Sequence, residues 1–295
     1  MADSKVCHIC GSIVTSTPFS VKDYSITQEN FSLIKCSSCN YLFTSPAPNP
    51  EAIKKYYASD AYISHTDGKN GLIEKLYHLV RKLTLAGKRQ LISSFTNNKK
   101  GVLLDYGCGT GAFLGEMKSH GWDTFGIEPD DGARLKAEKS IGAKIGIPSD
   151  VESLPDNFFD IVSMWHVLEH VHDIHSTVEH LKRILKKDGK LFIAVPNHAS
   201  YDAKYYKSYW AAYDVPRHLH HFSANAIKRL MEKHGLRITA IKGMWFDSFY
   251  VSMLSEKYKT GKINYFKAFI TGFYSNLVAI PKVEKCSSLI YVISR

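Results

Sequence analysis

From residue 102 onward, apolar runs of strand length alternate with amphipathic stretches of helix length, and no other feature of the sequence constrains the fold as tightly. Strands are predicted at Val102–Tyr106, Thr124–Glu128, Ala143–Ile147 (a weak one), Phe159–Trp165 and Lys190–Val195. Helices are predicted at Ala112–His120, Gly132–Ser140, Ile174–Leu185 and Ser223–His234, the last with Ser223 as N-cap and Gly235 just past its end. Strands joined by helices of this length must cross over to pair in parallel, which gives a mostly parallel sheet with helices on both faces. The expected fold class is α/β.

The first strand runs into its helix through Asp105-Tyr106-Gly107-Cys108-Gly109-Thr110-Gly111. Glycines at these spacings let the chain turn sharply and bring backbone amides against a ligand. Glu128 ends the next strand, where a carboxylate can accept hydrogen bonds from two adjacent ribose hydroxyls. A dinucleotide fits this frame, since Gly107-x-Gly109-x-x-Ala112 satisfies the permissive fingerprint; so does adenosylmethionine. Asp105 separates them, because a carboxylate repels a pyrophosphate and attracts an ammonium or sulfonium. The plainer alternative is an Asp105 that only caps the turn.

The first 45 residues hold two Cys-x-x-Cys pairs, Cys7/Cys10 and Cys36/Cys39, about 25 residues apart; Cys108 and Cys286 stand alone. Each pair presents two thiolates from one tight knuckle, and Gly11 and Asn40 just after them tolerate the left-handed backbone a knuckle needs. Four soft ligands predict Zn²⁺ in a closed, structural site. A segment this short buries too little apolar surface to fold without such a staple. A redox dithiol is the alternative. Ser45-Pro46-Ala47-Pro48-Asn49-Pro50 then interrupts regular structure and marks a boundary. Beyond it a short helix is predicted at Glu51–Tyr57 and a longer amphipathic one at Gly71–Phe95, with Leu72, Ile73, Leu76, Leu79, Val80, Leu83 and Leu91 on its apolar face.

The formal charge is +10, from 38 basic and 28 acidic residues, without any long basic block. That excess suits anionic partners, and a solvated basic surface explains it equally well. No stretch reads as a signal peptide or a membrane span, so a soluble, cytoplasmic protein is expected.

Asp105-x-Gly107-x-Gly109-x-Gly111, Glu128, Asp150-Val151-Glu152-Ser153-Leu154-Pro155 and Phe159-Asp160-Ile161-Val162 closely resemble class I adenosylmethionine-dependent methyltransferases. Trp165-His166-Val167-Leu168-Glu169-His170-Val171, Val195-Pro196-Asn197 and Arg217-His218-Leu219-His220-His221-Phe222-Ser223 look like a subgroup acting on small molecules, some members of which carry an N-terminal four-cysteine zinc segment. The resemblance is specific over roughly residues 85–240 and loose over the last 50. It implies a Rossmann-like sheet of seven strands ending in a hairpin, with the strand at Leu289–Ile293 as its last member. It also implies a cofactor site of Asp105, Gly107, Cys108, Gly109, Gly111, Glu128, Asp150, Val151 and His166, with Asp150 at the adenine amino group and Val151 lining the adenine pocket. The domains expected are a zinc-ribbon-like segment at 1–48, a helical linker or cap at 49–98 and a methyltransferase domain at 99–295. The last would include a substrate loop at 198–222 and a lid or insert at 245–285.

Methyl transfer from a sulfonium is an in-line displacement with a good leaving group, so holding the acceptor at attack distance does most of the work. An oxygen or nitrogen acceptor can still need a base. His166, just past a strand's carboxyl end, and His218 and His221 in the aromatic loop are the candidates, against the commoner fate of a structural histidine. Arg217 can pair with an anionic acceptor; Tyr205, Tyr206, Tyr209, Trp210 and Tyr213 can wall a pocket or simply pack. Phe266, Phe269, Ile270, Phe273, Leu277 and Val278 fall at helical spacing, as in a core or lid helix or a lipid-receiving surface. The function expected is methyl transfer from S-adenosylmethionine to a small acceptor: a sugar, a quinone- or polyketide-like molecule, or a lipid-linked one. The alternatives are an RNA methyltransferase gripping phosphates, a nicotinamide-dependent oxidoreductase and a non-enzymatic zinc-ribbon interaction protein.

Overall fold

The computed structural model describes residues 6–13, 18–57 and 72–295, with backbone only over 72–78. The expected helix start at Gly71 and the side chains of Leu72, Ile73 and Leu76 lie outside the described residues. The chain forms β1 (Phe19–Lys22), β2 (Asn30–Lys35), β3 (Leu42–Ser45), α1 (Leu72–Phe95), β4 (Val102–Tyr106), α2 (Ala112–Ser119), β5 (Asp123–Ile127) and α3 (Asp131–Ile141). It continues through β6 (Phe159–Trp165), α4 (Ile174–Ile184), β7 (Leu185–Pro196), α5 (Tyr201–Tyr206), β8 (His220–His221) and α6 (Ala224–Lys233). The last elements are β9 (Arg237–Gly243), α7 (Asp247–Thr260), α8 (Tyr265–Ala279) and β10 (Ser288–Ser294).

Two compact units result. One comprises Ser59–Trp165, Val178–Phe192 and Ser294–Arg295; the other comprises Met1–Ala58, His166–Thr177 and Ile193–Ile293. In the first unit β4 pairs in parallel with β5 and with β6, with Asp105 opposite both Gly126 and Ser163. Leu103, Leu104, Ile161, Val162 and Met164 are buried, as both-face coverage of a parallel sheet demands. The strand order is β5-β4-β6-β7-β10-β9, with β7 running along the chain from the first unit into the second. The sheet therefore has six strands where seven were expected. The missing one is Ala143–Ile147, where only Gly146 makes a bridge, to Ile127. Gly142, left-handed at φ 68, and Pro148 bracket this segment too tightly for a ladder to grow.

The second unit carries an antiparallel sheet, β1-β2-β3-β8, in register Phe19↔Leu33, Ser32↔Ser45 and Leu42↔His221. Over it lies a core of Val21, Phe31, Leu33, Tyr206, Trp210 and Tyr213 with their neighbours. The expected substrate loop is thus largely core: Trp210, Tyr206 and Tyr213 are buried, and Tyr205 and Tyr209 pack partly buried against them. Asp202 pins this segment from within, accepting hydrogen bonds from Trp210 Nε1, Ser275 Oγ and Ser287 Oγ, each at 2.7 Å.

Helix α8 forms where apolar spacing predicts, but its large side chains do not face the core. Ala268, Thr271, Gly272, Ser275 and Ala279 are the buried ones. A Cβ on Gly272 would lie 2.8 Å from Phe249, so α7 and α8 approach through small residues and turn Phe266 and Phe269 outward, 77% and 59% exposed. On the predicted apolar face of α1, Leu79 and Leu83 are likewise exposed and Val80 and Leu91 are half-buried, while Ile92, outside that face, is buried. Among the described residues, no helix is long and apolar enough to cross a membrane.

Candidate active site

In the first unit the glycine turn joins β4 to α2 at the carboxyl edge of the sheet, where open α/β sheets bind ligands. Gly107 N and Cys108 N both donate to Ile127 O, at 2.7 and 3.0 Å, which ties the turn to the end of β5. Gly111 has φ 79, and a Cβ there would come within 3.0 Å of Ala137, so only glycine lets α2 approach α3. Gly109, at φ 54, has nothing within 4 Å of its would-be Cβ: the turn faces open space, as a cradle for a ligand requires.

Two carboxylates flank this cradle. Asp105 is 2% exposed and accepts a 2.7 Å hydrogen bond from Ser163 Oγ. Burial pushes its carboxyl up to about 7; the Ser163 hydroxyl and the charge of Lys88 oppose that, while the Glu128 charge adds to it. Glu128, 8% exposed, accepts from Gly109 N at 2.7 Å and from Asp130 N at 2.9 Å, one to each oxygen. A carboxylate offers about four lone-pair sites, so both oxygens keep capacity for a diol. Burial also raises this carboxyl, against its two backbone donors.

Lys88 Nζ lies 4.3 Å from the centre of the Trp165 ring. The Trp165 indole N–H is buried with no partner among the described residues. Asp150 holds its own turn, accepting from Ile147 N at 2.9 Å; Val151 beside it is buried. Cys108 is buried and its thiol is raised to about 12, first by burial and then by the charges of Asp105 and Glu128, so it is a neutral wall here.

The four paired cysteines gather in the second unit. Cys7 Sγ stands 3.6 Å from Cys39 Sγ and Cys10 Sγ 3.6 Å from Cys36 Sγ, and all four sulfurs lie within 4.8 Å of one another. A disulfide needs ~2.05 Å. Thiolates ~2.3 Å from a tetrahedral zinc stand ~3.8 Å apart, so the donor set fits zinc. Gly11 and Asn40 are left-handed, at φ 72 and 60, and each closes a knuckle by donating to Cys7 O or Cys36 O at 2.9 Å.

The histidine candidates lie in the same unit. His166, the first residue past β6, is itself left-handed at φ 58, a costly conformation for a residue with a side chain and one that concentrates at functional sites. Its Nδ1 is 3.2 Å from Glu169 and its Nε2 3.1 Å from Asp247. Burial favours the neutral ring, but the hydrogen bonds and charges of Asp247 and Glu169 outweigh it and lift the imidazole to about 10. His166 is therefore an imidazolium held between two carboxylates. His221 is paired in β8, with Nε2 3.0 Å from Thr44 Oγ1, and burial holds it neutral. His218 donates Nδ1–H toward Ala212 O at 2.9 Å.

Arg217 is a correction. Its guanidinium is 0% exposed and is consumed by Asp23 at 2.8 Å, Asp214 at 2.7 Å and Tyr56 O at 2.9 Å, so no anionic acceptor can reach it. Sequence reasoning missed Asp247 and gave Glu169 no role. Glu169 sits three residues after His166 in one turn, a readable signal; Asp247 lies 81 residues away and gives none.

A sequence profile described as a methyltransferase domain matches residues 77–241, more than half of the chain. An uncharacterized protein of Methanocaldococcus jannaschii is 36% identical over 109 residues, covering 36% of this chain and 46% of that one. A ubiquinone biosynthesis O-methyltransferase of Actinobacillus pleuropneumoniae is 33% identical over 135 residues, covering 42% and 56%. The chain thus spans about half the length of these curated relatives. The solved structure of magnesium protoporphyrin IX methyltransferase from Synechocystis PCC 6803 with bound SAH is similar in fold, with a TM-score of 0.54 and 13% identity over 84% of this chain and 100% of that one. With the glycine turn, its two carboxylates and the profile match in agreement, the chain belongs to the methyltransferase-domain family.

Proposed function

We propose that this protein transfers a methyl group from S-adenosylmethionine to an oxygen of a small-molecule acceptor. The observation that carries the reading is the buried Asp105 carboxyl at the head of an open glycine turn, one strand away from Glu128. Asp105 receives the cofactor's ammonium, and Glu128 clasps the ribose hydroxyls. The unpartnered Trp165 N–H and the cationic Lys88 supply what the cofactor's carboxylate needs. Asp150 and Val151 border the adenine. These residues bind and orient; the sulfonium supplies the leaving group. A small acceptor with a free hydroxyl is supported by the similarity to ubiquinone biosynthesis O-methyltransferases.

His166 is not the general base in this reading. An imidazolium held near 10 has no lone pair to take a proton at neutral pH. Transfer of labelled methyl from S-adenosylmethionine to a panel of catechols, phenols and sugar alcohols, with total RNA as a second arm, tests the reading. Label in a small phenolic or alcoholic acceptor is expected; label confined to RNA contradicts it.

The four thiolates hold one structural zinc in the same proposal. One zinc per chain is expected to leave when four thiols are titrated with an organomercurial, and the Cys36→Ser protein is expected to lack it. Release of no zinc on full thiol modification contradicts this.

A further inference from the structure

A second constellation of ligand-type side chains lies in the second unit, apart from the thiolates. Glu169, His170 and His218 each offer one ligand atom, and these atoms all lie within 4.8 Å of one another. Glu169 is 0% exposed, and its Oε2 has no hydrogen-bond partner among the described residues, while Oε1 meets His166. A buried carboxylate oxygen left bare is destabilising unless something outside the protein meets it.

Two histidines stand beside that oxygen. His170 Nδ1 is 3.1 Å from Arg217 O and 3.0 Å from the Tyr57 hydroxyl, whose oxygen can accept from the same N–H, and His218 Nδ1 is 2.9 Å from Ala212 O. A ring nitrogen facing a backbone carbonyl must carry the proton, which leaves the other nitrogen, Nε2, with its lone pair free. Fixing the tautomer through a carbonyl on the far side of the ring is how metal-ligating histidines are oriented. The segments that carry these residues are themselves held. Arg217 is clamped by Asp23 and Asp214, and Leu219 N donates to Glu169 O at 2.8 Å, locking the two ligand-bearing segments together.

We propose that Glu169 Oε2, His170 Nε2 and His218 Nε2 form a binding site for a divalent transition-metal ion, separate from the thiolate zinc. Two imidazoles and one carboxylate suit zinc, iron(II), manganese(II) or cobalt(II). Three protein ligands leave open positions on the ion for water.

Cobalt(II) added to the full-length protein with its thiolate zinc in place is the test. One equivalent per chain is expected, with weak visible ligand-field bands and without the intense near-ultraviolet thiolate charge transfer that cobalt at the cysteines would give. Glu169→Gln and His218→Ala are each expected to weaken binding at least about 30-fold, with retained thiolate zinc showing that the unit is still folded. His175→Ala, on a neighbouring histidine pair, should bind as the wild type does. Saturable cobalt uptake lost in both ligand variants supports the site. No uptake by the wild type beyond the thiolates, or equal uptake by the ligand variants, overturns it. Either overturning result leaves cofactor binding and label transfer measurable, so the two proposals fail separately.

Discussion

At pH 8 the Asp105→Asn protein is expected to melt above the wild type without ligand, yet to bind S-adenosylmethionine about 10–100-fold more weakly, the worth of one charge-assisted hydrogen bond. The opposite signs come from one cause. In the folded chain burial raises the Asp105 carboxyl from 3.8 to about 7, so the folded state holds its proton more tightly than the unfolded state. Stability then falls as pH rises from about 4 to about 7, and the penalty is complete above that. At ~1.4 kcal/mol per pH unit the cost is of the order of a few kcal/mol, and asparagine does not carry it. The melting gap should close below pH 4, where both states are protonated. Wild-type affinity for the cofactor should fall about tenfold per unit as pH drops below 7, because a neutral carboxyl no longer attracts the ammonium. In the variant that slope should vanish. Scanning calorimetry with and without cofactor, from about pH 3.5 to 8, measures both.

Arg217→Met is expected to lose about 3–5 kcal/mol in chemical denaturation, the usual cost of removing one partner from a buried ion pair. The side chain is wholly buried and neutralises Asp23, itself 1% exposed, and Asp214. Methionine would fill much of the volume and leave two carboxylates facing each other. Asp23 is held below its ordinary range: burial raises it, but Arg217 and the donors at Thr27 outweigh that. A depressed carboxyl contributes stability above its unfolded value that disappears as pH falls through the folded one, so the gap between wild type and variant should narrow below about pH 4. Adding Asp23→Asn to the variant should recover part of the loss. A single variant within 1 kcal/mol of the wild type would show that the cluster carries little.

Much of the cofactor side was legible in the sequence because it is local. Asp105, the three glycines and the end of β5 lie within one strand–turn–helix–strand passage, and the spacing alone brings them to one edge of a sheet. The knuckles are equally local, each closed by its own left-handed residue. What could not be read depends on packing between distant segments. The aromatic run at 201–213 has the composition of a pocket wall and of a core alike, and only its burial beside β1–β3 decides. Arg217 looked free for an anion because Asp23, 194 residues away, is invisible to any local pattern. Spacing found helix α8, yet spacing cannot tell that small residues, not phenylalanines, face α7. The weak strand at Ala143–Ile147 failed for a local reason that was present all along, a glycine and a proline at its ends.

The central claim is that a buried acid and a ribose-clasping acid on one sheet edge select a cationic nucleoside over a dinucleotide. Isothermal titration of the purified protein at pH 8 with S-adenosylhomocysteine, and separately with NAD, tests it directly. One site per chain for the homocysteine nucleoside, weakened by Asp105→Asn, and no heat from NAD is the predicted result. Saturable heat from NAD with none from S-adenosylhomocysteine would contradict the account.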